Sequence, residues 1–343
     1  MERSDWFESL TGFREGCYEE TQSKFAVAND RLVSLADGRS WAIGKFEMTS
    51  LATLRAQAAQ IDQGPGGSKV SVIQGDVRRL HAMPEFAGAL FQVASQANAL
   101  EMIDPEVTPE DGVTRYGLDR TQGPACALAA APALIFRNFF VPIGDRIGQT
   151  RTRQLDGLAE VGLALGSALS RTVADLWQMR NGYALCTAAG LRAISTWLAK
   201  ADDEDIDDLR GRLAIGLHQN VEVTEPDAPS GQSVSQVFCS ALPVAYTGLA
   251  PALFRPFATL ILEAAYEATM LAGVIQSTNG GSNVVLLTLL GGGAFGNPPS
   301  WIFPAMQRAI QSVRQYKLDI RIVSHYAPPQ DLIRFVDQLQ EQR

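Results

Sequence analysis

The sequence predicts an α/β fold built on a largely parallel or mixed sheet, and three observations carry that expectation. Asn283–Leu290 is a continuous apolar run, the pattern of a strand buried on both faces. It is followed by a glycine-rich loop, a helix from Trp301 to about Gln315 and a strand Leu318–Ser324, which together make a β-α-β unit. Further back, Leu155, Leu158, Val161, Leu163, Leu165 and Leu169 recur at helical spacing.

Taken in chain order, residues 1–68 read as an N-terminal extension of strands and helices packed on the core. Its aromatic anchors are Trp6, Phe7, Phe13, Phe25 and Trp41, and it closes at a flexible Gln63–Ser68, where glycine and proline break periodic structure. Residues 69–343 then form the main domain. Lys69–Asp76 is β-branched and reads as a strand, and Phe86–Gln96 as a second strand ending in amides. Leu155–Leu169, Arg171–Gln178 and Ala188–Leu198 are read as helical. The acidic stretch Asp202–Asp208 suits a helix start, where carboxylates meet the positive end of the dipole. Arg212–Leu217, Val234–Cys239 and Val244–Tyr246 read as strands, and Phe257–Ile275 as a long helix.

Composition narrows the function classes. With 29 Lys+Arg against 37 Asp+Glu the net charge is −8, which argues against a nucleic acid held on a broad basic face. At 46% hydrophobic residues the chain is too apolar for disorder. The opening MERSDWFESL has no basic segment leading into an apolar one, and Pro124–Phe136 is too short for the roughly 18–20 residues of a span. The expectation is a cytoplasmic protein with no membrane and no nucleic-acid partner. Cys17, Cys126, Cys186 and Cys239 form no CxxC pair, and His81, His218 and His325 are scattered. Neither a metal nor a cofactor is therefore expected.

Two segments carry chemistry. Leu289–Asn297 places Gly291, Gly292, Gly293 and Gly296 between a strand and a helix, so backbone amides can approach a pyrophosphate. Phe295 inside the glycines could lie against a ribose or base. There is no Gly-Lys-Ser/Thr, so this is not a P-loop, and no GxGxxG opens the first β-α unit as a nicotinamide-dependent oxidoreductase requires. In the second segment, Gln96 and Asn98 follow a strand, Asp111 and Asp119 flank a short loop, and Thr121-Gln122-Gly123-Pro124 reads as a helix start. Two carboxylates beside a helix N-terminus could position a sugar diol and activate water. The alternative makes Asp111 a surface turn residue and Asp119 a helix cap.

These segments resemble the two ligand-binding edges of the macrodomain fold. The residues that carry the likeness are ASQANALEM (94–102), RYGLDRTQGPACAL (115–128), NGYAL (181–185), VFCSALPVAY (237–246) and LLTLLGGGAFGN (286–297). The chain is most similar to the bacterial branch related to poly(ADP-ribose) glycohydrolase, which includes effector-type enzymes that remove ADP-ribose from arginine of ubiquitin. The likeness covers roughly residues 70–325 and implies a three-layer α/β/α fold with a central mixed sheet. It implies mono-ADP-ribosyl hydrolase activity on an arginine N-glycosidic bond, with ADP-ribose and an ADP-ribosylated protein, such as ubiquitin, as partners. Asp111 and Asp119 match the aspartates of the arginine-specific branch and would be catalytic, Asp111 toward the attacking water. Gln96 and Asn98 would meet the distal ribose or adenine, Thr121, Gln122 and Gly123 the same cleft, and Gly292, Gly293, Ala294, Phe295, Gly296 and Asn297 the diphosphate. The glycohydrolase signature GGG…QEE is absent. The competing expectation is a non-catalytic ADP-ribose reader.

Overall fold

The computed structural model describes residues 5–62 and 66–341, so the first three residues of the expected break Gln63–Ser68 lie outside the described residues. Among the described residues seven strands form the central sheet: β1 (Lys45–Ser50), β2 (Lys69–Gln74), β3 (Leu90–Ala94), β4 (Ala214–Glu222), β5 (Ser233–Cys239), β6 (Val284–Leu287) and β7 (Asp319–Ser324). Their order is β1-β4-β5-β3-β6-β7-β2. β4 pairs antiparallel with both of its neighbours, and every other pairing is parallel, so β4 alone runs against the rest. The sheet is mixed, as expected.

Strand alternation sends side chains to opposite faces. In β3, Leu90 enters one core while Phe91 and Val93 enter another, and in β6 Val285 and Leu287 oppose Val284 and Leu286 in the same way. The larger core is closed by helices Leu51–Ala58, Pro251–Thr278, Pro299–Ser312 and Gln330–Glu341. The opposite face is covered by Val77–Ala82 and Gln122–Ala129. The molecule is thus the three-layer α/β/α arrangement anticipated from the resemblance. Pro251–Thr278 is long and apolar enough to cross a bilayer, yet 83% of its most apolar window is buried, and it forms the centre of the larger core.

The N-terminal aromatics form a third core. Phe7, Tyr18, Phe25 and Leu32 pack against Met102, Tyr116 and Phe139, so the extension braces the segment that carries the expected site. β1 lies before residue 68 but pairs with β4, so the expected boundary divides the central sheet.

Several elements differ from the sequence expectation for identifiable reasons. Val244–Tyr246 is a 3-10 turn, with Pro243 before it. Arg171–Gln178 is a short helix, Val173–Leu176, that runs into a hairpin of Trp177–Arg180 and Tyr183–Cys186. Its two-residue turn is Asn181-Gly182, with φ of 47° and 81°, the primed geometry that Asn-Gly favours. The strand over Asn283–Leu290 shortens to Val284–Leu287 because the chain turns at Thr288. The helix expected from Pro124 begins at Gln122 and breaks at Ala130, before a second helix Ala131–Phe139 with Pro132 in its first turn. Ala188–Leu198 and the capping of the next helix by Asp202 agree with expectation.

Candidate active site

A cavity of about 200 Å³ opens beyond the carboxyl ends of three adjacent parallel strands, β5, β3 and β6. This is where open α/β sheets place ligands. Each strand leads directly into the wall: β3 into Ser95 and Gln96, β5 into Ala241, and β6 into Thr288, Leu289 and Leu290. The start of helix Gln122–Ala129 supplies another part through Thr121, Gln122, Gly123 and Pro124. The volume is below the roughly 300–1,000 Å³ of a drug-sized ligand site, so it suits part of a dinucleotide such as a pentose with its attached groups.

Gly123 is required here by close approach. A Cβ would stand 2.1 Å from the Ala94 carbonyl oxygen and 3.2 Å from Glu101 Cγ. The helix start can therefore press against the end of β3. Gln122 completes the joint: its Oε1 accepts from Ala94 N at 3.0 Å and its Nε2 donates to the Gln92 carbonyl at 2.9 Å.

The glycine loop forms the opposite wall through Gly291, Gly293, Ala294 and Phe295. Gly291 has φ 71°, and a Cβ there would meet Ala241 at 2.5 Å. The amides of Leu290, Gly292, Gly296 and Asn297 are used within the loop or by the Tyr266 hydroxyl. Among the described residues, those of Gly291, Gly293, Ala294 and Phe295 donate to no protein acceptor. Such amides are a ready donor site for anionic oxygen. Phe295 packs with Tyr183 and Tyr246 at centroid distances of 5.3 and 5.6 Å, so three rings line one side of the cavity.

The acidic side chains divide. Asp119 lines the cavity, and its Oδ1 accepts the Thr121 amide at 2.8 Å, just ahead of the helix. Asp111 lies outside the wall on an exposed 3-10 turn. Its Oδ2 accepts both the backbone amide and the hydroxyl of Thr108 at 2.8 Å, and those bonds hold its carboxyl below the usual range. The expectation that it handles the attacking water is thus corrected to a turn-capping role in this conformation.

Asn98 is corrected likewise. It is fully buried outside the cavity, where Nδ2 donates to Gln154 and Oδ1 accepts the Leu100 amide. Asn297 is buried and donates to the Leu242 carbonyl at 2.9 Å, while Gly292 and Gly296 belong to the loop but not to the wall. Gln96 lines the wall, yet its amide is spent on Met102, accepting from its amide at 2.7 Å and donating to its carbonyl at 3.1 Å.

One wall residue was not anticipated as part of the site. Glu101 is 3% exposed and stands in the cavity wall with both carboxyl oxygens closed off from solvent, and among the described residues no donor lies within ordinary hydrogen-bond distance of them. Its amide donates to the Tyr116 hydroxyl at 2.8 Å. The fully buried Arg137 stands behind it, Nη2 at 3.6 Å from Oε1. Burial pushes the Glu101 carboxyl up to about 8, against the opposing pull of Arg137. Arg137 in turn donates to the Ala99 carbonyl at 3.0 Å, meets His218 Nδ1 at 3.3 Å and lies 3.8 Å over the Phe238 ring. His218 Nε2 is 2.7 Å from the Ile43 carbonyl, which fixes that nitrogen as the donor and leaves Nδ1 to accept from Arg137.

No family model and no curated protein matches the chain. Among solved structures, poly(ADP-ribose) glycohydrolase from Deinococcus radiodurans in complex with ADP-ribose is similar at 11% identity, over 87% of this chain and 95% of that chain, with a TM-score of 0.48. The poly(ADP-ribose) glycohydrolase from Thermomonospora curvata is similar at 12% identity, over 95% and 96% of the two chains, with a TM-score of 0.43. At that level the chemistry has to be read from the chain's own residues.

Proposed function

We propose that this protein hydrolyses the N-glycosidic bond between ADP-ribose and an arginine side chain of a modified protein. The observation that carries the reading is the composition of one cavity wall against the other. One side offers unpaired backbone amides of a glycine loop, which suit a diphosphate. The rest of the wall offers the Asp119 carboxylate and the rings of Tyr183 and Tyr246, which meet Phe295 of the loop, and among the described residues no Lys, Arg or His side chain lines the cavity. Carboxylates and ring faces are the groups that receive a guanidinium. The residue match to the arginine-specific branch at Asp119 points the same way.

In this reading Asp119 accepts a proton from water as the water oxygen bonds to the anomeric carbon. The bond from that carbon to the guanidine nitrogen breaks, its electron pair leaves with the arginine, and the proton taken by Asp119 passes on to the released guanidine, which becomes the guanidinium. Positive charge develops on the sugar in between, where a carboxylate stabilises it. The test is release of ADP-ribose from an arginine-modified protein. Asp119→Ala should lower turnover by on the order of 10²-fold while ADP-ribose affinity holds within a few-fold. Tight ADP-ribose binding by the parent with no release would make the protein a reader instead. A variant that melts lower by roughly a helix cap's worth, about 1 kcal/mol, but keeps its rate would make Asp119 structural.

A further inference from the structure

We propose that this protein pairs with a second copy of itself through the outer surface of three helices, Ala159–Leu169, Ala188–Leu198 and Asp203–Gly211, a basic cleft of each copy receiving the acidic helix of the other. This surface shares no residue with the wall of the cavity described above. Three observations carry the inference. The first is an apolar centre. Helix Ala159–Leu169 holds one charged residue, Glu160, and its outward side presents Leu163, 59% exposed, with Ala164, Ser167 and Ala168 beside it. A helix on the surface of a globular protein ordinarily turns charged and polar residues outward.

The second is an open cleft of about 580 Å³ beside the end of that helix. Arg192, Thr196, Trp197 and Lys200 follow at three- and four-residue spacing along one side of helix Ala188–Leu198 and its final turn, and Arg171 adds a third cation from the neighbouring chain segment. Arg192 and Lys200 stand about 12 Å apart along the axis, at 1.5 Å per residue. Among the described residues none of these three cations forms an ion pair. The third is the helix Asp203–Gly211. Its opening run Asp202-Asp203-Glu204-Asp205 brings four carboxylates, of which the cap uses one: Asp202 Oδ1 accepts the Asp205 amide at 2.8 Å. Among the described residues none of the four forms an ion pair, and Asp208 meets Arg212 at the exposed surface. Asp205 and Asp208 line a second cleft. Trp197 lines both clefts, so its indole marks where the acidic and basic halves meet.

A surface with a cationic half, an anionic half and an apolar centre is complementary to its own copy under a two-fold rotation. Rotation about an axis near Trp197 lays the Asp205 and Asp208 side of each copy against the Arg171, Arg192 and Lys200 side of the other, and closes the Leu163 region from water. Both charge contacts then form at once. An unrelated acidic partner would use the basic half alone and leave Leu163 and the carboxylates uncovered.

The experiment is analytical ultracentrifugation of the full chain with paired charge reversals. The parent should be a dimer at about 10 μM. Its dissociation constant should rise at least about 10-fold between roughly 0.1 and 1 M salt, as the screening length shortens from about 10 to 3 Å. Arg192→Glu with Lys200→Glu reverses the cleft, and Asp205→Lys with Asp208→Lys reverses the helix. Each variant alone sets like charges against like, and its dimer should be at least about 100-fold weaker. An equimolar mixture of the two restores both contacts and should dimerise again, a rescue that damage to the fold could not give. ADP-ribose affinity, expected to be unchanged in each variant, checks the fold separately. A parent that stays monomeric at about 100 μM, single variants that dimerise like the parent, or a mixture that stays monomeric overturns the proposal. A monomeric parent that binds a poly-glutamate peptide, and loses it in the cleft variant, also overturns it and gives the cleft to an acidic partner. The hydrolase reading stands or falls independently of these outcomes.

Discussion

Replacing Glu101 by Gln should change how stability depends on pH, whether or not any substrate is present. The ordinary carboxyl value is 4.5, and burial raises that of the folded state to about 8. Between those values the folded protein keeps a proton that the unfolded chain has released, so stability falls as pH rises and levels off above 8. The buried histidines work in the opposite sense at lower pH. His81 is lowered to about 4 and His218 well below its ordinary 6.5, so each destabilises the fold as pH drops below 6.5. From pH 6.5 to 8 the Glu101 effect is therefore separable. At 1.36 kcal/mol per unit, 1.5 units amount to about 2 kcal/mol. With an unfolding entropy of roughly 2.1 cal/mol/K per residue over 343 residues, that is a decline of about 3 °C in melting temperature. Glu225 and Asp156 are also raised by burial, but they are common to both proteins and cancel in the difference. The assay is calorimetric melting of parent and Glu101→Gln in matched ionic strength across that window. The parent should lose about 3 °C more than the variant across that window. Two curves that run parallel would show that Glu101 carries no proton into the neutral range, and the electrostatic argument built on it would fail.

Two substitutions at glycines separate binding from folding. A Cβ added at Gly293 would meet nothing within 4 Å, and the backbone there is not left-handed. Gly293→Val should therefore melt within about 0.5 kcal/mol of the parent yet bind ADP-ribose at least 10-fold more weakly, on the order of one filled contact; unchanged affinity in a titration would remove the diphosphate from this loop. Gly123→Ala should instead lower stability by roughly 1–3 kcal/mol, because its methyl would meet the Ala94 carbonyl at 2.1 Å, and parental melting would mean that the helix start does not press on β3 as described.

How far the sequence could be read depends on the range of the interaction involved. β2, β5 and the helix Ala188–Leu198 declare themselves through local periodicity, and the structure keeps them nearly to the residue. The glycine loop was legible because its chemistry is local: Gly291 needs its positive φ and the free amides follow from the same turn. The hairpin at Asn181-Gly182 was also signalled locally, but the helical pattern of the flanking residues outweighed that signal. The amide side chains misled for a different reason. Gln96, Asn98 and Gln122 stand beside the cavity in sequence, yet each spends its polar atoms on backbone or amide partners that only the tertiary fold supplies. Glu101 had no local signature at all. Its role depends on Arg137 from the helix Ala131–Phe139, on His218 from β4 and on Tyr116 from the 3-10 turn Thr114–Leu118.

That dependence also explains why a costly arrangement is kept. A fully buried Arg–Glu pair at 3.6 Å is weak support for a fold, since desolvation of both charges can exceed their attraction and apolar replacements of the same shape are often neutral or stabilising. Arg137 nevertheless ties together the carbonyl of the left-handed Ala99, the His218 ring and the Phe238 face, all behind the cavity. Stability alone would be served as well by packing that corner with leucine or methionine. Such packing would leave the Ala99 carbonyl and the His218 ring without the donor that Arg137 supplies. The buried network is best understood as the support that fixes this corner of the cavity wall, and the pH slope that Glu101 imposes on the fold is its measurable trace.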